Sequence, residues 1–222
     1  MNIQFDSRIA EAAPDLEVIV VETPVTNPPT PDELWRELEA AAASVATCDI
    51  TEIRHRPAIA ATRDAYKALG KEPNRYRPSA EALCRRVVNG KGLYRTTTIV
   101  DIVNLVSLIT GHSIGAFDAD RIEGDTLTLG AGRHDEPYEA IGRGQLNIEN
   151  LPVFRDAVGG IGTPTSDNVR TQLSADTRRL LVTINCYGQA EQGNELTVDL
   201  LCSLLHDYAG ADPQMSITHH RP

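Results

Sequence analysis

What the chain lacks excludes several kinds of chemistry. Its four cysteines, Cys48, Cys84, Cys186 and Cys202, form no C-x-x-C pair. The spacing of a zinc site is therefore missing, and buried, reduced thiols are expected. No apolar run approaches the roughly 18 residues that a spanning helix needs. The first fifteen residues are acidic and lack a continuous apolar stretch. A soluble, cytoplasmic protein with no membrane partner is the default expectation. There is no G-x-S-x-G elbow, no H-E-x-x-H pair and no phosphate-binding P-loop, so the common hydrolase and nucleotide signatures are missing. His55, His112, His134 and His206 stand in no recognisable motif. His112 follows a helix-ending glycine and reads as a surface residue. Neither a metal nor another cofactor is expected.

The charge is unevenly spread. The 222 residues carry a formal net charge of −10, which argues against broad, charge-driven binding to nucleic acid, and no DNA partner is expected. Yet from Arg63 to Arg95 nine Lys or Arg residues face only Asp64, Glu72 and Glu81. That segment is at +6 and the remainder at −16. Tyr66, Tyr76 and Tyr94 are interleaved with it. Cations mixed with flat aromatic surfaces suit a single-stranded RNA end; two solvated helix faces would look the same.

With about 41% apolar residues, the chain can build a sizeable core. Leu16 to Val21 is rich in β-branched residues and reads as a strand buried on both faces. Thr30-Pro31-Asp32-Glu33 is a helix start, with Thr30 as the cap. Further helices are expected over Pro57–Leu69, Pro78–Asn89, Thr98–Thr110 and Glu195–Tyr208, each followed by a glycine. Thr126–Leu129 and Leu180–Cys186 read as strands. Helices and strands do not alternate regularly, so the expected class is α+β, one domain with mixed sheets and several packed helices. Residues 1–14 are expected to be a flexible start, 15–210 the domain, and 211–222 a flexible tail.

Two features carry possible chemistry. The Thr98–Thr110 helix is apolar nearly all round, except for Asp101, Asn104 and Ser107 at i, i+3, i+6. Buried polar groups need partners. Either Asp101 and Asn104 tie down neighbouring backbone, or Asn104 faces a pocket and orients a ligand. The second feature is the run Gly159-Gly160-Ile161-Gly162-Thr163-Pro164-Thr165-Ser166-Asp167. Its amides can cradle an oxyanion, with Thr165 and Ser166 adding hydroxyls; a flexible turn is the plain reading.

Several motifs occur together and in order: Tyr66-Lys67-Ala68-Leu69-Gly70, Tyr76-Arg77-Pro78-Ser79, Val100-Asp101-Ile102-Val103-Asn104, Gly115-Ala116-Phe117-Asp118, Arg121-Ile122-Glu123-Gly124-Asp125, and Pro164-Thr165-Ser166-Asp167 with Asp176-Thr177. Over residues 15–210 the chain resembles the free-standing B3/4 proteins, relatives of the editing domain of the phenylalanyl-tRNA synthetase β chain. That domain is α+β, binds the aminoacylated 3′ end of tRNA, and hydrolyses wrongly attached tyrosine. The resemblance implies tRNA as partner and a trans-acting aminoacyl-tRNA deacylase, or else a non-catalytic module for RNA or a small ligand. It implies Asn104, Thr165 and Ser166 as catalytic or water-positioning groups. The substrate pocket would comprise Asp101, Gly115, Gly159, Gly160, Gly162 and Thr183. Arg75, Arg77, Arg85, Arg86, Lys91 and Arg95 would hold the RNA. The family motif V-D-x-T-N keeps its aspartate and asparagine here but has Val103 at the threonine place. In H-A-F-D the histidine place holds Gly115, and the glutamate that recognises the tyrosine hydroxyl aligns with Thr183. Losing that acceptor removes the basis for preferring tyrosine, so activity on another side chain, with no tyrosine preference, is expected.

Overall fold

The computed structural model describes residues 1–188 and 191–222, and the side chains of 1–188 and 193–222. The fold is α+β. Strand β1 (Asn2–Phe5) and helix α1 (Ser7–Ala12) lead into β2 (Glu17–Pro24). Helices α2 (Asp32–Ala46), α3 (Pro57–Ala68), α4 (Ser79–Val88) and α5 (Thr98–Thr110) follow in succession. Then come β3 (Ile114–Asp118), β4 (Thr126–Ala131), the short pair β5 (Glu139–Ala140) and β6 (Gly144–Gln145), β7 (Pro152–Arg155), β8 (Gly160–Thr163) and β9 (Ser166–Asp167). The chain closes with β10 (Arg179–Cys186), α6 (Glu191–Ala209) and β11 (Ser216–His220).

Two main sheets result, a four-stranded one in the order β11-β2-β10-β3 and a five-stranded one in the order β1-β4-β7-β8-β9. The run of β-branched residues in β2 is buried on both faces because it lies in a middle layer. Ile19 and Val21 share a core with residues of α2, α4, α5 and α6. Val18 and Val20 point the other way, into a core with Leu127, Leu129, Phe154 and Ile161 of the five-stranded sheet and Ala65 and Leu69 near α3. The order is thus helices, four-stranded sheet, five-stranded sheet. The period-2 alternation of the strands decides which side chain joins which core.

Helix α5 has the bounds its sequence pattern predicts, and ends where Gly111 takes φ +83. The start of α2 differs from expectation. Pro31 occupies the cap position with no side-chain cap, and the Thr30 hydroxyl donates instead to the Asp101 carboxylate at 2.5 Å. A buried carboxylate needs donors, and the Thr30 hydroxyl supplies a charge-assisted one.

The two ends expected to be flexible are held in sheets. β1 runs parallel to β4, and β11 pairs antiparallel with β2 from Ser216–Glu22 to His220–Val18. Glu17, largely buried, accepts from His219 and Arg221 at 3.3 and 3.1 Å and anchors the tail. The pairing covers an edge of β2 that would otherwise present unpaired backbone groups. Cys84 and Cys186 are buried as expected, Cys202 is half-buried, but Cys48 is exposed just beyond the end of α2.

Candidate functional site

Helix α5 brings its polar positions to different places. Asp101 is fully buried and accepts from the Thr30 hydroxyl, the Thr96 amide (3.0 Å) and the Thr96 hydroxyl (2.8 Å). It ties together the loops that lead into α2 and α5. It is not among the residues that line the cleft described next. One turn on, Asn104 lines a cleft of about 990 Å³ together with Ser107. The cleft lies against the helix-facing side of β3, where Ile114 and Ala116 form part of its wall.

The rest of the wall explains the basic segment of the sequence. Arg75 and Arg77 come from the loop before α4, Arg85 and Arg86 from α4, and Lys91 from the loop after it. A sixth cation, Arg143, is contributed by the turn between β5 and β6. Asp167 is the one carboxylate among the described lining residues. A protein of net charge −10 therefore concentrates positive charge around one concavity, which focuses the field on an anionic ligand.

Three of the cations are tied in place. Glu81, 1% exposed, pairs with the buried Arg63 of α3 at 2.7 Å. Its other oxygen lies 3.8 Å from Arg77 and 4.0 Å from Arg85. One buried carboxylate thus sets the positions of two cleft cations. Arg85 also donates to the Ile50 carbonyl at 3.1 Å, and Arg86 to the carbonyls of Gly92 and Lys91 at 2.8 and 3.3 Å. Arg95 is not part of the cleft lining. It bonds the Asp32 carboxylate at 2.6 Å and the Thr30 carbonyl, and is spent on fixing the start of α2.

Asp167 is the residue that sequence reasoning passed over. It ends the glycine-rich run, on β9 beside β8. The Pro164 carbonyl just before it accepts from the Ser79 amide at 2.7 Å, and the Ser166 carbonyl accepts from the buried Tyr138 hydroxyl at 2.7 Å. These bonds fix the strand end against the start of α4. The Asp167 side chain is half-buried. Desolvation by the surrounding protein pushes its pKa up to about 7, opposed by the Ala116 amide 3.3 Å from one oxygen. The sequence signals for it were its position as the acid closing the Gly-rich segment and its place in the Pro164-Thr165-Ser166-Asp167 motif.

Three of the glycines stand where rings pack closely against the backbone. A Cβ at Gly162 would lie 2.5 Å from the Phe117 ring. A Cβ at Gly115 would lie 2.7 Å from the same ring and 2.8 Å from the Thr183 hydroxyl. A Cβ at Gly160 would meet the Tyr138 ring at 2.9 Å. These positions are small because rings from neighbouring elements occupy the space. Gly159 is half-buried in the turn before β8, and its amide donates to Asp156 at 3.0 Å. Thr165 is buried and shares a hydrogen bond with the Tyr66 hydroxyl at 2.9 Å. Ser166 is half-buried, its hydroxyl near the Asp167 carbonyl at 3.5 Å.

Gly115 and Thr183 are cross-strand partners. Both lie on the face of the four-stranded sheet opposite Ile114 and Ala116, and so opposite the cleft. The Thr183 hydroxyl is buried there with no partner among the described residues. Of the residues expected to form one site, the structure thus gathers Asn104 with Arg75, Arg77, Arg85, Arg86 and Lys91. It leaves Gly115, Gly162 and Thr183 against the layer between the sheets, and Gly160 and Thr165 against the separate cluster of Tyr66 and Tyr138. His112, expected at the surface, is buried against Thr197 at 3.1 Å, and desolvation lowers its pKa to about 4.

The fold and the cleft define an α+β domain with a cationic cleft, holding an amide and a protonatable carboxyl among its cations. The model of the B3/4 domain matches residues 61–199, and the chain belongs to that family. Among solved structures, an N-terminal fragment of the phenylalanyl-tRNA synthetase β-subunit from Pyrococcus horikoshii is similar, at 12% identity and a TM-score of 0.48. The match covers 97% of this chain and 50% of that one, so the chain spans half the length of that fragment. No curated protein matches the chain in sequence.

Proposed function

We propose that the cleft receives the aminoacylated 3′ end of a tRNA and hydrolyses its ester bond. The observation that carries this reading is the six cations set around Asn104 and Asp167 in one concavity of an otherwise acidic protein. The cations hold phosphates. The Asn104 amide makes no hydrogen bond to any described residue and is left to orient the ester or the water. Asp167, ionised in part near neutrality, takes a proton from water as its oxygen bonds to the ester carbonyl carbon. The bond to the ribose oxygen breaks, and the proton goes to that oxygen, releasing the amino acid and a free hydroxyl. A carboxylate whose pKa lies near working pH suits this exchange, and an aminoacyl ester is activated enough for positioning to contribute much of the rate.

The alternative, RNA binding without chemistry, has one observation of its own. The Gly115–Thr183 face, where the resemblance puts the amino-acid pocket, is filled by the Phe117 ring. The experiment that separates the two is a deacylation screen across all aminoacyl-tRNAs. Release of an amino acid other than tyrosine is the expected result; strong preference for the tyrosyl ester overturns the expected specificity, and no release from any ester overturns the hydrolytic reading. Binding should depend steeply on salt. Replacing Arg77 or Lys91 by alanine should flatten the slope of log affinity against log salt by about 1 each, measured by filter binding of deacylated tRNA. Unchanged slopes in both variants would remove the cleft from the RNA interface.

A further inference from the structure

Tyr94 has no role in the cleft as described so far, and it is unusual. At 71% it is the most exposed large hydrophobic side chain among the described residues. It is not loose, because the Arg86 guanidinium lies 4.3 Å from its ring centroid. Arg86 is in turn fixed by the carbonyls of Gly92 and Lys91, in the loop that carries Tyr94. Tyr76 offers a contrast: it is half-buried, and Lys71 and Arg75 lie 3.7 and 5.5 Å from its ring centroid. Tyr94 keeps most of its ring in solvent while a cleft residue supports it.

We infer that Tyr94, backed by Arg86, is a stacking platform for one nucleobase of a single-stranded RNA whose backbone enters the cleft. This rests on the tRNA reading above and adds a base-binding subsite at the cleft mouth. Arg86 and Lys91 both line the cleft, and Tyr94 stands three residues beyond Lys91. A strand with its phosphates on these cations has its bases within reach of the ring. Single-stranded RNA supplies both an anionic backbone and flat π faces. An acidic peptide supplies charge without a π face beside each charge. The guanidinium under the ring strengthens the stack through its own attraction to the π system, and every base can use such a surface, so the subsite is tolerant of sequence.

The test uses the full chain and a fluorescent single-stranded RNA of about six nucleotides, within the site sizes of single-strand binding proteins, with an abasic strand of the same length for comparison. Anisotropy titrations with Tyr94→Ala should show RNA affinity about tenfold weaker, as expected for loss of one stacked base. Affinity for the abasic strand should not change. The salt slope should stay as in the wild type, because no charge is removed. Tyr94→Phe keeps the ring and should keep the affinity. RNA bound equally well by Tyr94→Ala, or an equal loss on the abasic strand, overturns the platform while leaving the cleft reading in place. No RNA binding by the wild type at low salt overturns both. A polyglutamate peptide that binds as tightly as RNA, and loses as much with Tyr94→Ala, assigns the surface to a protein partner and overturns the platform.

Discussion

Asp167→Asn is expected to lower the rate of ester hydrolysis by about 10²- to 10⁴-fold, the usual contribution of a positioned general base, with little effect on RNA affinity. The pH dependence carries the sharper information. The wild-type rate should climb as pH rises through about 7, where Asp167 ionises, and the residual rate of the variant should not follow that curve. The same substitution should alter stability with a definite sign. The folded-state pKa lies above the unfolded value of 3.8, so the folded protein binds more protons between the two. Stability is then lost as pH rises from about 4 towards 7. Asparagine never ionises, so the variant should be the more stable protein at pH 8 and lose that advantage near pH 4. The shift sets an upper limit of about 4 kcal/mol; the partly open side chain brings the expected gain down to roughly 2 kcal/mol. Thermal unfolding at the two pH values measures it. A variant that hydrolyses esters at the wild-type rate removes Asp167 from the chemistry, whatever its stability.

Glu81→Gln should have the largest effect on folding. Arg63 and Glu81 have side chains only 8% and 2% exposed, so neutralising one leaves a buried charge without its counter-ion, at a cost of about 3–5 kcal/mol. Arg63 keeps the Asn74 side chain at 2.8 Å, which places the expectation at the lower end. The change also reaches the cleft, because Arg77 and Arg85 lie within 4.0 Å of the same carboxylate. Denaturant unfolding should show the loss of stability. RNA affinity, measured where the variant is still folded, should fall as well. A stability within about 0.5 kcal/mol of wild type, the range of ordinary surface changes, would show that the pair is not the buried tie its geometry describes.

The helices were legible in the sequence where one segment contained its own evidence. Helix α5 is apolar nearly all round and stops at a glycine, and nothing distant is needed to recognise it. Its polar stripe was harder to read. Steps of three residues fall short of a full helical turn by about 60°, so Asp101 and Ser107 are well separated around the axis. Asp101 comes to lie under the Thr30 and Thr96 loops, whereas Asn104 meets the cleft. The glycine-rich run misled for a related reason. A glycine records that something comes close, but not whether it is a ligand or a ring from another strand, and Phe117 and Tyr138 lie far away in sequence. The basic segment predicted five of the six cleft cations. Arg143 and Asp167 arrive from segments that no local pattern connects to it. The chain ends were misread because their partners, β4 and β2, lie over a hundred residues away.

The Phe117 ring sits against two glycines at once, and this ties two distant positions to one neighbour. Even a Cβ would fall 2.7 Å from the ring at position 115 and 2.5 Å from it at position 162. A smaller residue at 117 would open a void in a close-packed core. The ring is thus a shared spacer between β3 and β8: a side chain at either glycine is accommodated only where the ring itself moves, and the same movement frees space at the other.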